Sequence, residues 1–229
     1  MTRTRPVLFA FFGSLLLSGC MATGGPTFNP VGRTLTWFSY VGGDDIRVRC
    51  VPGSLDVWRF VYNGHYMEQI RSYDMTADQL GPGAILQVRA AGRSTVLAMD
   101  LRDPFSVWRG QIDQRFLQAN DRRKIVDALA ASGFSGPAPE GLRLRSDAFY
   151  WAVSACQGGV FHFNAWQQPG TDLSRLAFIK TLLDVDRTGL PLNPPNDAVL
   201  PPYDPSPRAG YVQFLLTVGK NGLVSGPTY

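Results

Sequence analysis

Asp56-Val57-Trp58-Arg59-Phe60-Val61-Tyr62, then Asn63-Gly64, then His65-Tyr66-Met67-Glu68-Gln69-Ile70-Arg71-Ser72-Tyr73 is the stretch on which the fold turns. Both flanks are rich in aromatic and β-branched side chains, which suit a pleated surface, and Asn-Gly supplies the two positive φ angles of a type I′ turn. The pattern predicts an antiparallel hairpin with Tyr62 opposite His65, Phe60 opposite Met67, Arg59 opposite Glu68 and Asp56 opposite Arg71. Two opposite-charge pairs in one register support it.

Further hairpins extend the same reading outward. Gly158-Gly159 joins Phe149–Gln157 to Val160–Trp166, which sets Trp151 beside Trp166 and Cys156 opposite Phe161. Its two apolar faces predict a place in the centre of a sheet. Gly92-Arg93 is expected to turn Ala84–Ala91 back onto Ser94–Asp100, with Val88 against Leu97 and Leu86 against Met99. Leu35–Val41 and Ile46–Val51 read as short strands around a Gly42-Gly43-Asp44-Asp45 turn, and Tyr211–Val218 as a late strand turning at Asn221-Gly222.

Two segments carry helical periodicity. Asn120–Ser132 has an apolar stripe of Ile125, Val126, Leu129 and Ala130, an N-cap at Asn120 or Asp121, and Gly133 as the stop; Arg122, Arg123, Lys124 and Asp127 read as its solvated face. Asp172–Asp184 carries a broad apolar surface of Leu173, Leu176, Ala177, Ile179, Leu182 and Leu183, suited to lying between layers. The expected fold is therefore α+β: a mainly antiparallel sheet built from hairpins, with two α-helices, forming one globular domain over residues 33–229. Within it, residues 189–207 form a proline-rich surface segment, in which Pro194-Pro195 and Pro201-Pro202 exclude helix.

The composition agrees with a globular chain. Over 229 residues, 45% are hydrophobic and 17% charged, which excludes a disordered or collagen-like protein. Net charge is +4, and two of the 22 basic residues, Arg3 and Arg5, fall in a leader described next; with 18 acidic residues and no long basic run, nothing points to nucleic acid.

Residues 1–19 divide as a signal peptide does, into a positive n-region with Arg3 and Arg5, an apolar stretch from Pro6 to Leu17, and a small-residue exit at Ser18-Gly19. The apolar run is too short to span a bilayer, which takes about 20 residues. Leu17-Ser18-Gly19-Cys20 resembles the lipobox of bacterial lipoproteins. The resemblance implies cleavage before Cys20, acylation of its sulfur (palmitate among the chains), and a membrane anchor; Met21 after the Cys implies the outer membrane, with the domain facing the periplasm. Residues 20–32, with Gly24, Gly25, Pro26 and Pro30, then form a flexible tether. In that oxidising compartment Cys50 and Cys156 are expected to form a disulfide; two buried free thiols, or Cys156 as a nucleophile, are the alternatives.

Asp184-Val185-Asp186-Arg187-Thr188-Gly189 is the strongest local candidate for chemistry. It resembles the Asp-x-Asp-x-Thr start of haloacid-dehalogenase-type phosphatases, which implies a nucleophile at Asp184 and an acid/base at Asp186, but it follows a helical pattern where that family has a strand. As a calcium loop it lacks the bidentate Glu, because Pro195 stands at the twelfth position. Only two histidines occur, His65 and His162, so a three-histidine zinc site cannot form within one chain. No catalytic constellation and no cofactor or metal motif emerges. The functional expectation is a membrane-anchored, non-catalytic envelope lipoprotein that scaffolds or docks a protein partner. The alternative is a periplasmic hydrolase or a small-ligand or metal-binding domain using Asp184, Asp186 and Arg187.

Overall fold

The computed structural model describes residues 37–66, 68–92, 110–196, 200, 202–203 and 214–225. In chain order these form α1 (Ser39–Gly42), α2 (Asp44–Arg49), β1 (Val57–Gly64), β2 (Gln69–Ala77), β3 (Ala84–Gly92), β4 (Gln111–Leu117), α3 (Ala119–Ala131), β5 (Arg143–Arg145), β6 (Phe149–Gln157), β7 (Val160–Gln168), a 3-10 turn (Leu173–Arg175), α4 (Ala177–Val185), β8 (Leu215–Gly219) and β9 (Gly222–Ser225). Six strands make one antiparallel sheet in the order β4-β3-β2-β1-β6-β7, and three make a smaller one, β5-β8-β9. The fold is α+β and dominated by antiparallel sheet. Among the described residues no helix is long and apolar enough to cross a membrane.

Strand alternation sorts the core into two layers. Trp58, Phe60 and Tyr62 of β1 share a face with Tyr73 and Met75 of β2, Leu86 and Val88 of β3, and Trp151 and Val153 of β6; Ile125 and Leu129 of α3 and Phe178 and Leu182 of α4 cover it. Trp151 sits at its centre, 4.9 Å from the Tyr62 ring and 5.3 Å, edge-on, from Phe178. The opposite face carries Val61, Tyr150, Ala152, Phe163 and Ala165 under Val41, Leu144, Leu216 and Val218, so the small sheet and the N-terminal helices cap this side.

The first hairpin forms with a different register. β1 runs through Asn63 to Gly64, and Tyr62 faces Arg71 rather than His65, Phe60 faces Tyr73 rather than Met67, and Arg59 faces Asp74 rather than Glu68. The reason lies in Asn63, whose buried side-chain amide donates to the carbonyls of Ser146 (3.0 Å) and Ala148 (2.6 Å). It anchors the chain leading into β6 and is not free to make the turn; His65, at φ +61°, bends the chain instead. The displacement is six residues, an even number, so every side chain keeps its face. Asp56 does not meet Arg71; it accepts from Gly158 N and from Arg122.

The β6–β7 hairpin has the expected register, with Trp151 facing Trp166 and Cys156 facing Phe161. Its position is not wholly central: β6 is buried between β1 and β7, but β7 is an edge. The two sides of β3 are taken by β2 and β4, so Val88 faces Asp113 and Leu86 faces Arg115, in place of Leu97 and Met99. The expected return strand Ser94–Asp100 lies outside the described residues.

Four local expectations also change. Where they are described, the segments read as strands at 35–41 and 46–51 are mainly helical, as α1 and α2 joined at Gly43. Gly43 has φ +70°, and a Cβ there would lie 2.4 Å from Ser154 Cβ, so both the bend and the close approach to β6 need glycine. α3 begins at Ala119 with Gln118 as N-cap and no side-chain cap, one residue before the expected start. The second predicted helix is split: Asp172 caps a 3-10 turn by accepting from Ser174 N, Leu176 is extended, and α4 starts only at Ala177. At the late hairpin Gly219 faces Gly222, so the turn is Lys220-Asn221 rather than Asn221-Gly222.

Candidate functional site

The proline-containing segment after α4 is irregular, yet side chains from the strands hold it along its length. α4 ends because Asp186 turns extended, and its carboxylate swings inward. Oδ1 accepts from Thr188 N (2.8 Å) and Thr188 Oγ1 (2.6 Å), an Asx turn that reverses the chain, and Gly189 follows at φ +73°. Oδ2 accepts from Tyr73 Oη (2.8 Å) and from the Arg71 guanidinium, which also donates to the Leu190 carbonyl. Arg71 is 1% exposed and Asp186 6%, so this is a buried ion pair.

From there residues 190–196 form a strap across the ends of β1 and β2. Prolines at 191, 194 and 195 leave the strap short of N–H donors but not of carbonyls, so it must be held by donors from below. Gln69 supplies one pairing, with Nε2 donating to Pro191 O (2.8 Å) and Oε1 accepting from Asn193 N (2.8 Å), as a peptide unit in a neighbouring strand would. Tyr62 Oη donates to Asn193 O (2.5 Å), and Asn193 Nδ2 donates to Gly64 O (2.9 Å) and Glu68 Oε2 (3.0 Å). Gln168 Nε2 reaches Asn196 O at 3.3 Å. Pro191, Pro194 and Asn196 remain exposed.

Electrostatics match this holding role. Burial pushes the Asp186 carboxyl up, but the Thr188 hydroxyl and amide, the Arg71 charge and the Tyr73 hydroxyl together outweigh it and hold the group below the ordinary carboxylate range. Burial raises the Tyr62 and Tyr73 hydroxyls well above their usual range, so both stay neutral donors.

The sequence-derived candidates separate. Asp184 points outward on α4 and pairs with Lys180 at 2.8 Å, whereas Asp186 points inward. Asp184 and Arg187 do meet at a cleft of about 320 Å³ between β4, α3 and α4, where Arg115, Asp121, Lys124 and Thr181 join them. The Thr181 hydroxyl donates to Phe178 O (2.8 Å) inside the helix. Among the described residues no group of three or more His, Cys, Asp or Glu is arranged to hold a metal ion. Cys50 and Cys156 form a disulfide, 106 residues apart in sequence, which removes Cys156 as a nucleophile. His162 Nε2 lies 2.6 Å from Phe134 O, against the loop that ends α3. Arg122 is not simply solvated: it donates to Pro82 O and Asp56 and lies over the Trp58 ring. Cys20 lies outside the described residues, and in the proline-rich segment Tyr203 sits 5.7 Å from the Arg145 guanidinium.

Sequence reading missed Tyr62, Gln69, Arg71, Tyr73 and Asn193 as the strap's anchors. One signal was present. Arg71 alternates with Tyr73 and Met75 and so falls in a core row, where a charge demands a buried partner. No family model matches this chain, and no curated protein and no solved structure shows significant similarity to it.

Proposed function

We propose that the chain is an outer-membrane lipoprotein, anchored through acylated Cys20 and facing the periplasm, whose folded part docks or scaffolds a protein partner without catalysis. The observation that carries the docking role is the strap. An extended segment that exposes Pro191 and Pro194 is held in place by buried side chains before any partner arrives, so binding it costs little ordering entropy. Extended proline-containing segments are read by aromatic-lined grooves, which sets the chemistry expected of the partner. Crosslinking of the native protein in intact membranes, followed by mass spectrometry, should recover a stoichiometric envelope protein. Pro191→Glu with Pro194→Glu should abolish that adduct and leave the unfolding midpoint unchanged; an undiminished adduct removes the strap from the interface. Labelling with radioactive palmitate should be lost in Cys20→Ser, and retention there would refute the anchor.

The cleft that joins Asp184 to Arg187 favours a second reading, a small-ligand or hydrolytic site on the periplasmic face. Divalent-metal titration calorimetry tests its metal-dependent form. A saturable heat lost in Asp184→Asn would support it; no heat would count against it.

A further inference from the structure

The strand Gln111-Ile112-Asp113-Gln114-Arg115-Phe116-Leu117, β4, forms one edge of the large sheet, and among the described residues nothing pairs with its outer side. Edge strands are normally blunted against other chains by charge, bulges or cover. β4 carries Asp113 and Arg115, yet two of its four exposed residues are large and apolar: Ile112 is 54% exposed and Phe116 53%, and Ile85, which faces Phe116 on β3, is 46% exposed. Alternation puts these three side chains on the face away from α3 and α4 and puts Asp113 and Arg115 on the helix-covered side.

The residues of β4 are complementary about their midpoint. An antiparallel partner strand of the same sequence, centred on Gln114, sets Gln114 against its own copy, Asp113 against Arg115, and Ile112 against Phe116. Every charged position then meets the opposite charge and every exposed apolar position meets an apolar one. Within one chain Arg115 Nε already reaches Asp113 at 2.8 Å, so the two copies would form a two-by-two cluster of four charges of alternating sign. On the other face Ile85, Phe116 and the second copy's Ile112 would close into one apolar strip. Shifting the pairing by two residues places Arg115 against Arg115 or Asp113 against Asp113, which selects the centred register.

We infer that two copies of this chain pair through β4 about a two-fold axis at Gln114, giving a continuous twelve-stranded antiparallel sheet. This interface is separate from the strap and does not depend on the partner proposed for it. A two-fold contact of this kind is self-complementary by construction, which is what the strand's sequence shows.

Full-length protein extracted from membranes in a non-ionic detergent should sediment as a dimer after correction for bound detergent. Gln114→Cys should form an intermolecular disulfide on mild oxidation, since paired antiparallel positions lie about 4.5–5.5 Å apart, within disulfide reach. Gln111→Cys, about 20 Å from its own copy at ~3.4 Å per residue, should not. Arg115→Asp should weaken dimerisation at least tenfold, and Asp113→Arg with Arg115→Asp should restore it, with circular dichroism confirming the fold of each. A monomeric wild type, crosslinking at 111 as strong as at 114, or a charge swap that fails to restore the dimer of a folded variant would each overturn the inference. So would crosslinking of position 114 to a different protein in place of a second copy.

Discussion

Arg71 is the residue on which the strap depends. Its guanidinium is removed from water and donates to Asp186 and to the Leu190 carbonyl, so its burial is compensated only while the strap is in place. Arg71→Met leaves a buried carboxylate without its counter-charge and should destabilise the protein by about 3–5 kcal/mol, whereas adding Asp186→Asn should recover much of that loss, because the amide oxygen still accepts from Thr188 and needs no counter-charge. Urea unfolding of the two variants checks this, and a double variant no better than the single one would mean that the ion pair is not the source of the cost. The same carboxylate gives the strap a pH dependence. Its folded pKa is depressed, so its contribution is fully present above the unfolded value near ~3.9 and is lost as the pH falls through the lower folded value. The unfolding midpoint of the wild type should therefore drop more steeply on acidification than that of Asp186→Asn. Equal slopes would remove Asp186 from the acid response.

Elements were legible where local chemistry and tertiary contacts agree. Gly158 and Gly159 both take positive φ, both flanks are apolar, and β6–β7 has the register that the turn alone predicts. β1–β2 departs because Asn63 is spent on two buried carbonyls of the chain entering β6, a contact no local pattern reveals. α1 and α2 depart for a related reason. Their aromatic and β-branched residues suit a strand, but Gly43 admits a tight bend against Ser154, Asp44 and Asp45 begin the next helix at its positive end, and Arg59 holds Asp45 at 2.6 Å. The candidate site was half legible for the same cause: Asp186 and the prolines stand out in sequence, but the side chains that hold them come from strands more than 100 residues earlier. Two glycine substitutions separate bend from contact. Gly189→Ala, at φ +73° with open space around it, should cost about 1–2 kcal/mol for the left-handed backbone alone. Gly43→Ala adds a collision with β6 to the same backbone strain and should cost about 1–3 kcal/mol more. Denaturant midpoints that rank the two in the reverse order would contradict the close approach at Ser154.

At the scale of the whole molecule, the N-terminal helices are joined to the large sheet in two chemically different ways. One is polar: Arg59 binds Asp45, Asp74 and the Tyr40 carbonyl, and Tyr40 Oη donates to Asp74. The other is the Cys50–Cys156 disulfide, which fixes the end of α2 to β6 and closes a loop of 106 residues. A cross-link of that span restricts the unfolded chain by about 4–5 kcal/mol in the entropy account. Reduction should therefore lower the unfolding free energy by a few kcal/mol without dissolving the fold, since the polar contacts still hold α1 and α2 to the sheet. Amide exchange should rise first at 39–49 and last in β1 and β6, which are buried on both faces. The bond also bears on where the protein resides, because such disulfides persist outside the cytosol and are kept reduced within it. Alkylation of intact cells before lysis should leave Cys50 and Cys156 unmodified until a reductant is added. Immediate alkylation of both would place the folded protein in a reducing compartment and contradict the envelope address proposed for it.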